Sequence, residues 1–138
     1  MRLFLDTSVL LSACGSDKGA SCEIFGLARA KNWTLVATPY VIQEVLKNLD
    51  KLPREATAIW ARLRTDLLVL DDVVTLDRPV IFEAGKDRPV LFSALAWADV
   101  LLTLDKGDFA RLLGGTFYDL PVLKPGDFLQ RERSAGRL

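Results

Sequence analysis

Residues 2–11 read Arg2-Leu3-Phe4-Leu5-Asp6-Thr7-Ser8-Val9-Leu10-Leu11. Leu3-Phe4-Leu5 is apolar at every position, which suits a short strand covered on both faces in a parallel sheet. The run closes on an acid and two hydroxyls, and a second apolar run follows at once. Trp33-Thr34-Leu35-Val36-Ala37, Leu67-Leu68-Val69-Leu70 and Val100-Leu101-Leu102-Thr103 are further runs of the first kind. A fifth strand falls near Thr116-Phe117-Tyr118 or Pro121-Val122-Leu123.

Helix signals separate these runs. A helix is expected through Val9-Leu10-Leu11, and another over Ser21–Ala30 with Ser21 as N-cap. Thr38-Pro39 reads as an N-cap followed by proline at the first helical position, opening a helix to about Asn48. The break at Asp50-Lys51-Leu52 precedes a helix from Pro53 to about Thr65. Asp87-Arg88-Pro89 starts a strongly apolar helix through Ala98, buried on most sides. A short helix from Asp108 or Phe109 is expected to end at Gly114-Gly115. Strands alternating with helices imply right-handed βαβ units. The expected fold is α/β, a three-layer α/β/α sandwich with a mainly parallel central sheet of four or five strands. Residues 1–130 form the expected single domain, and 131–138 a polar C-terminal tail that frays.

Composition narrows the chemistry. The 138 residues are half hydrophobic and 26% charged, as in a soluble globular domain. No apolar stretch reaches the roughly 18 residues of a membrane span, and Asp6 comes too early for a signal-peptide core. A cytoplasmic protein with no membrane partner is the expectation. The chain has no histidine, which excludes His-based acid–base catalysis, His triads and His-containing zinc sites. Cys14 and Cys22 are too few for an all-cysteine zinc site and read as small apolar or loop residues. Any metal must be held by oxygen, which favours magnesium or manganese. Eighteen basic residues balance eighteen acidic ones, so net charge does not mark a nucleic-acid coat protein.

The acids at the ends of apolar elements are the candidates for such a site. In open α/β sheets ligands bind beyond the carboxyl ends of the strands, where Asp6 and Asp105 both fall. Asp6 is equally well read as the N-cap of the following helix, unless Thr7 or Ser8 caps it instead. Asp105 and Asp108 stand around a glycine in Thr103-Leu104-Asp105-Lys106-Gly107-Asp108-Phe109, more like a metal-binding loop than a turn alone. Glu44 lies roughly 60° from Val41 on the border of its helix's apolar face, where a pairing with Lys47 or Asn48 would also explain it. Asp87 is explained equally by an N-cap beside the helix dipole. Asp99 reads as structural, Asp71-Asp72 as a turn held in reserve, and Asp119 and Asp127 as acids of C-terminal loops. Trp33, Trp60 and Trp97 read as core.

Taken together, Leu5–Leu11, Thr38–Leu46, Lys86–Leu91 and Leu102–Phe109 resemble the PIN-domain family in their order and approximate spacing. Val122–Leu129 is similar to the end of that family's toxin subgroup. The resemblance implies a Mg2+- or Mn2+-dependent nuclease, most often acting on single-stranded RNA. Many members are toxins of toxin–antitoxin pairs, neutralised by a small antitoxin protein, and dimerisation is expected from the family. The family's acidic quartet carries over onto Asp6, Glu44, Asp87 and Asp105. Asp108 is an auxiliary metal-binding acid, and Thr7, Ser8 and Thr103 are polar neighbours. Arg88-Pro89 departs from the small residues common after the third acid, although proline in a first helical turn is tolerated. Lys86, Arg88 and Lys106 are candidates for RNA phosphate contacts. Two other readings stand beside this one: a PIN-like module that only binds RNA or protein, and a phosphoacceptor signalling domain with Asp71 as acceptor.

Overall fold

The protein is described here by a computed structural model covering residues 1–74, 88–107 and 109–138, with Arg88 described in its backbone only. In chain order the elements are β1 (Arg2–Leu5), α1 (Thr7–Gly15), α2 (Ala20–Ala28), β2 (Thr34–Ala37), α3 (Pro39–Asn48), a 3-10 turn (Leu49–Lys51), α4 (Ala56–Arg64), β3 (Leu67–Val69), α5 (Arg88–Trp97), β4 (Val100–Leu102), β5 (Thr116–Phe117), β6 (Leu120–Leu123) and α6 (Pro125–Ser134). The strands form one sheet in the order β3-β2-β1-β4-β6-β5. All neighbouring pairs run parallel except β5 and β6.

The central strand is β1. Leu3 pairs with Leu35 on one side and Val100 on the other, and Phe4 likewise with Val36 and Leu101. Leu3, Phe4 and Leu5 are all fully buried. Successive strand residues point to opposite faces, so burial of all three requires cover on both. Helices supply it. Helix α5 packs on β1 and β4, whereas α1 packs against α2, α3 and α4. Trp33 and Trp60 are buried and Trp97 packs on the core, as expected of core tryptophans. Neither cysteine is in a disulfide, and burial, with Cys22 nearby, pushes the Cys14 thiol up to about 11.

The chain leaves β1 for β2 on one side, and later returns to β4 on the other. The carboxyl ends of β1 and β4 therefore flank the point where strand order reverses, the usual crevice for a ligand in such sheets. Backbone bonds close this end tightly. The Asp6 amide donates to the Leu102 carbonyl at 3.0 Å, and the Thr103 amide to that of Leu123 at 3.0 Å. At the opposite end the Arg2 amide donates to Asp99 Oδ2 at 2.7 Å, which gives Asp99 the structural role its position suggested.

Five expectations need correction. Helix α2 starts at Ala20 with Gly19 as its N-cap, so the buried Ser21 stands inside the helix and does not cap it. Both stretches proposed for the fifth strand are strands, giving six rather than four or five. They were hard to read because the turn between them, Tyr118-Asp119, has positive φ at both residues (47° and 69°) without the Asn-Gly or Asp-Gly signal such hairpins normally carry. Residues 109–115 form successive turns instead of a helix. The Gly114 amide, at φ 87°, donates to the Val122 carbonyl at 2.8 Å and diverts the chain into the hairpin. Residues 125–134 are a helix where loop and tail were expected, and Asp127 is in its first turn. Pro125 occupies its first turn, Phe128, Leu129 and Glu132 are buried, and Arg133 pairs with Glu23 of α2 at 2.6 Å. Phe128 also meets the Trp33 ring edge-on at 5.1 Å. The helix expected from Pro53 begins at Ala56, because the Ala56 amide first closes a turn onto the Pro53 carbonyl.

Phe4→Ala should lower the unfolding free energy by about 3–5 kcal/mol, since it empties a site closed on both faces. Leu68→Ala, at a 39% exposed position on the edge strand, should cost less than about 1 kcal/mol. Urea denaturation followed by circular dichroism reads both, and equal costs would contradict the two-sided burial of β1.

Candidate active site

Asp6 follows β1 directly and is 7% exposed. It is the N-cap of α1, its Oδ1 accepting the Thr7 amide at 2.8 Å. Neither Thr7 nor Ser8 takes that task from it. Its other oxygen, Oδ2, accepts the Thr103 hydroxyl at 2.7 Å and lies 3.4 Å from the Ser8 hydroxyl. One carboxylate thus both starts a helix and joins the ends of β1 and β4, and its capping role leaves it lining the pocket described below.

The hydroxyls are committed in turn. Thr103 Oγ1 accepts the Asp105 amide at 3.0 Å, and Ser8 Oγ accepts the Leu104 amide at 2.9 Å. These bonds fix the first residues past β4 against the first turn of α1. Asp105 then closes its own turn, Oδ1 accepting the Gly107 amide at 2.7 Å. A Cβ on Gly107 would stand 3.2 Å from that same oxygen, so the turn is tight at this point.

Helix α3 forms the facing wall. Tyr40, Glu44 and Asn48 are four residues apart and so lie on one stripe of the helix. With Asp6, Thr7, Ser8, Leu11, Val90 and Asp105 they line a pocket of about 380 Å³. Three of the acids singled out in the sequence therefore face one cavity at the crevice. Glu44 is half-buried and also makes the anticipated pair with Lys47 at 3.2 Å. Tyr40 and Asn48 were not singled out beforehand, although their spacing from Glu44 is the signal that would have found them. Asp87, Asp108 and Lys86 lie outside the described residues, as does the Arg88 side chain. Lys106 is exposed beside Asp105. Asp71 is exposed and does not line the pocket.

The electrostatics of the pocket are those of an anion short of compensation. Burial raises the Asp6 pKa above the ordinary 3.8, and the Asp105 carboxylate adds to the rise, while the bonds from Thr103, Thr7 and Ser8 pull the other way. Among the described residues no Lys or Arg lines the cavity. Its donors are carboxylate, hydroxyl and amide oxygens, a set suited to a hard divalent cation. Among the described residues no three acids stand close enough to cage an ion alone. The arrangement fits a cation that keeps part of its water shell, as Mg2+ commonly does.

The sequence of residues 2–107 matches the PIN domain family, and the chain belongs to that family. The matched span contains Asp6, Glu44, Asp87 and Asp105. No curated protein matches the chain. Among solved structures, a chain of VapBC2 from Rickettsia felis, in a crystal structure bound to a DNA fragment from their promoter, superposes with a TM-score of 0.62 at 17% identity, over 88% of this chain and 97% of that one. PAE2754 from Pyrobaculum aerophilum gives 0.63 at 16% identity, over 97% and 90%. VapC20 from Mycobacterium tuberculosis, described as a Sarcin-Ricin loop cleaving toxin, gives 0.50 at 18%, over 86% and 98%. At these identities the likeness is one of fold.

The raised Asp6 pKa has a definite sign for stability. The folded chain holds this proton more tightly than the unfolded one, so stability falls as pH rises from 3.8 through the folded value and stays reduced above it. Asp6→Asn keeps an oxygen for the Thr7 amide and removes the charge. In chelator at neutral pH its melting temperature should exceed the wild type's by on the order of a few degrees. The difference should vanish in acid, and a variant melting below wild type at neutral pH would contradict the account.

Proposed function

We propose that the chain is a metal-dependent endoribonuclease and the toxin component of a toxin–antitoxin pair. The observation that carries this reading is the convergence of Asp6, Glu44 and Asp105 on one oxygen-lined pocket at the strand-order reversal. Membership of the PIN domain family supports the nuclease part. The toxin part rests on the fold shared with VapBC2 and VapC20, and the VapBC2 complex is the reason to expect an antitoxin partner. A homodimer and a cytoplasmic location go with the same reading. No helix among the described residues is long and apolar enough to cross a membrane.

In this mechanism Asp6, Asp105 and Asp87 would hold Mg2+ or Mn2+, with Glu44 and Asp108 as the further acids of the set. A bound divalent ion supplies a water of lowered pKa and neutralises charge on the scissile phosphate. The protein's part is placement. Thr103 spends its proton on Asp6 Oδ2, so this carboxylate keeps one orientation toward the pocket. The Asp105–Gly107 turn holds the second acid, and Asn48, at the far end of the α3 stripe, adds a neutral polar group to the lining. Lys106, with Lys86 and Arg88, contacts the RNA backbone, where a cation acts on phosphate irrespective of sequence.

The purely binding reading and the phosphoacceptor reading give different results in the same assay. Purified protein with Mn2+ should cleave labelled single-stranded RNA, and chelator should stop it. Asp6→Asn and Asp105→Asn should each lower the rate by on the order of a hundredfold or more, since even groups behind a metal ligand cost about 10–100-fold. Mn2+ should raise the melting temperature of wild type and not of Asp6→Asn. Cleavage that survives either substitution would refute the assignment, and phosphorylation at Asp71 would support the signalling reading instead.

A further inference from the structure

Helix α3 starts in an unusual way. Thr38 occupies its N-cap position and is fully buried, yet its side chain makes no capping bond. Its Oγ1 has no hydrogen-bond partner among the described residues. Pro39 has no amide hydrogen, so Tyr40 carries the first amide of the helix, and the first turn contains no acid to favour the positive end of the dipole. The acceptor comes from another part of the chain. Asp72, just past β3, accepts the Tyr40 amide on Oδ2 at 3.0 Å.

The segment bearing Asp72 is fastened on both sides of it. The Trp97 indole donates to the Asp71 carbonyl at 2.8 Å, and the Val73 amide donates to the Ser93 hydroxyl at 2.8 Å. Ser93 is fully buried in α5. The Ser93 hydroxyl also lies 3.5 Å from the Val73 carbonyl, to which it donates. Residues 71–73 are therefore a bracket: three bonds tie it to α5, and one bond to the Asp72 carboxylate ties it to the first turn of α3. Both helices contribute to the pocket, α5 through Val90 and α3 through Tyr40, Glu44 and Asn48. Tyr40, whose amide the bracket holds, lies one turn before Glu44 on the same stripe.

We propose that Asp72 is a positioning residue for the site: held on α5, it caps α3 in place of Thr38 and sets where α3 presents Tyr40 and Glu44 opposite Asp6 and Asp105. A local N-cap would stabilise α3 without fixing its place relative to α5, whereas a cap supplied through this bracket does both. Its bearing on metal binding rests on the function proposed above; the capping itself does not.

Two measurements separate these layers. In metal-free protein, hydrogen exchange at the Tyr40 amide should speed up roughly fivefold in Asp72→Ala, the factor that loss of one capping bond represents. Asp72→Asn, which keeps an acceptor oxygen, should restore most of the protection, and Thr38→Val should change little because its hydroxyl makes no bond. Unchanged exchange in Asp72→Ala would overturn the capping role whatever the protein does. Mn2+ affinity, read from the electron paramagnetic resonance signal of free Mn2+ under conditions where every variant is fully folded, should fall by about tenfold in Asp72→Ala and recover in Asp72→Asn. Faster exchange with unchanged Mn2+ affinity would overturn the positioning role and leave only a structural cap. A wild type that binds no Mn2+ and cleaves no RNA would instead refute the proposed function, with the exchange result still deciding the cap.

Discussion

The hydrogen bond from Thr103 to Asp6 joins the carboxyl ends of the two central strands, and the arrangement of the site depends on it. Asp6 is buried, and a buried carboxylate is costly without partners. Each of its oxygens has one: the Thr7 amide on Oδ1 and the Thr103 hydroxyl on Oδ2. The same contacts nucleate α1, fix the turn after β4 through the Asp105 amide, and leave the remaining acceptor capacity directed at the pocket. Partial compensation is the informative point. The bonds from Thr103, Thr7 and Ser8 do not cancel desolvation and the nearby Asp105, so the pocket favours an added positive charge.

That constraint explains the composition of the surrounding wall. A lysine or arginine in the pocket would neutralise Asp6 permanently and compete with a bound cation. Among the described residues the pocket's lining has neither, and Lys47 pairs with Glu44 at the helix surface, with its own side chain 70% exposed. Hydroxyl and amide groups fill the remaining polar positions. The Thr103 and Ser8 hydroxyls orient the Asp6 carboxylate without adding charge, while the Asn48 amide donates to the Glu44 carbonyl.

The parallel strands were legible as apolar runs, with two-sided burial behind β1, β2 and β4 and a one-sided edge at β3. The runs at 2–5, 33–37, 67–70 and 100–103 are apolar at nearly every position, and each holds a strand of the parallel sheet. Helix α3 was legible because proline at its first position fixes the start. Helix α6 was missed although Lys124-Pro125 is the same kind of signal, since its polar surface and nearby glycine read as loop. The stretches of β5 and β6 were read as alternatives for one strand and not as a hairpin, because Tyr118 and Asp119 adopt positive φ without the residues that usually allow it.

The sequence by itself determined the elements and the chemical limits: no histidine, oxygen donors, and acids placed at element ends. Resemblance drew those acids into one set. The tertiary structure decided that Asp6, Glu44 and Asp105 share a pocket, because strand order is set by pairings between residues as far apart as Leu3 and Val100. It also decided that Asp6 caps α1 and lines that pocket at once, and that Asp72, 32 residues from Tyr40, accepts the first amide of α3 in place of its own Thr38. A local pattern records what a residue can do within one turn or strand. The partner that satisfies a buried polar group is chosen by the whole chain's packing, and here that choice builds the pocket.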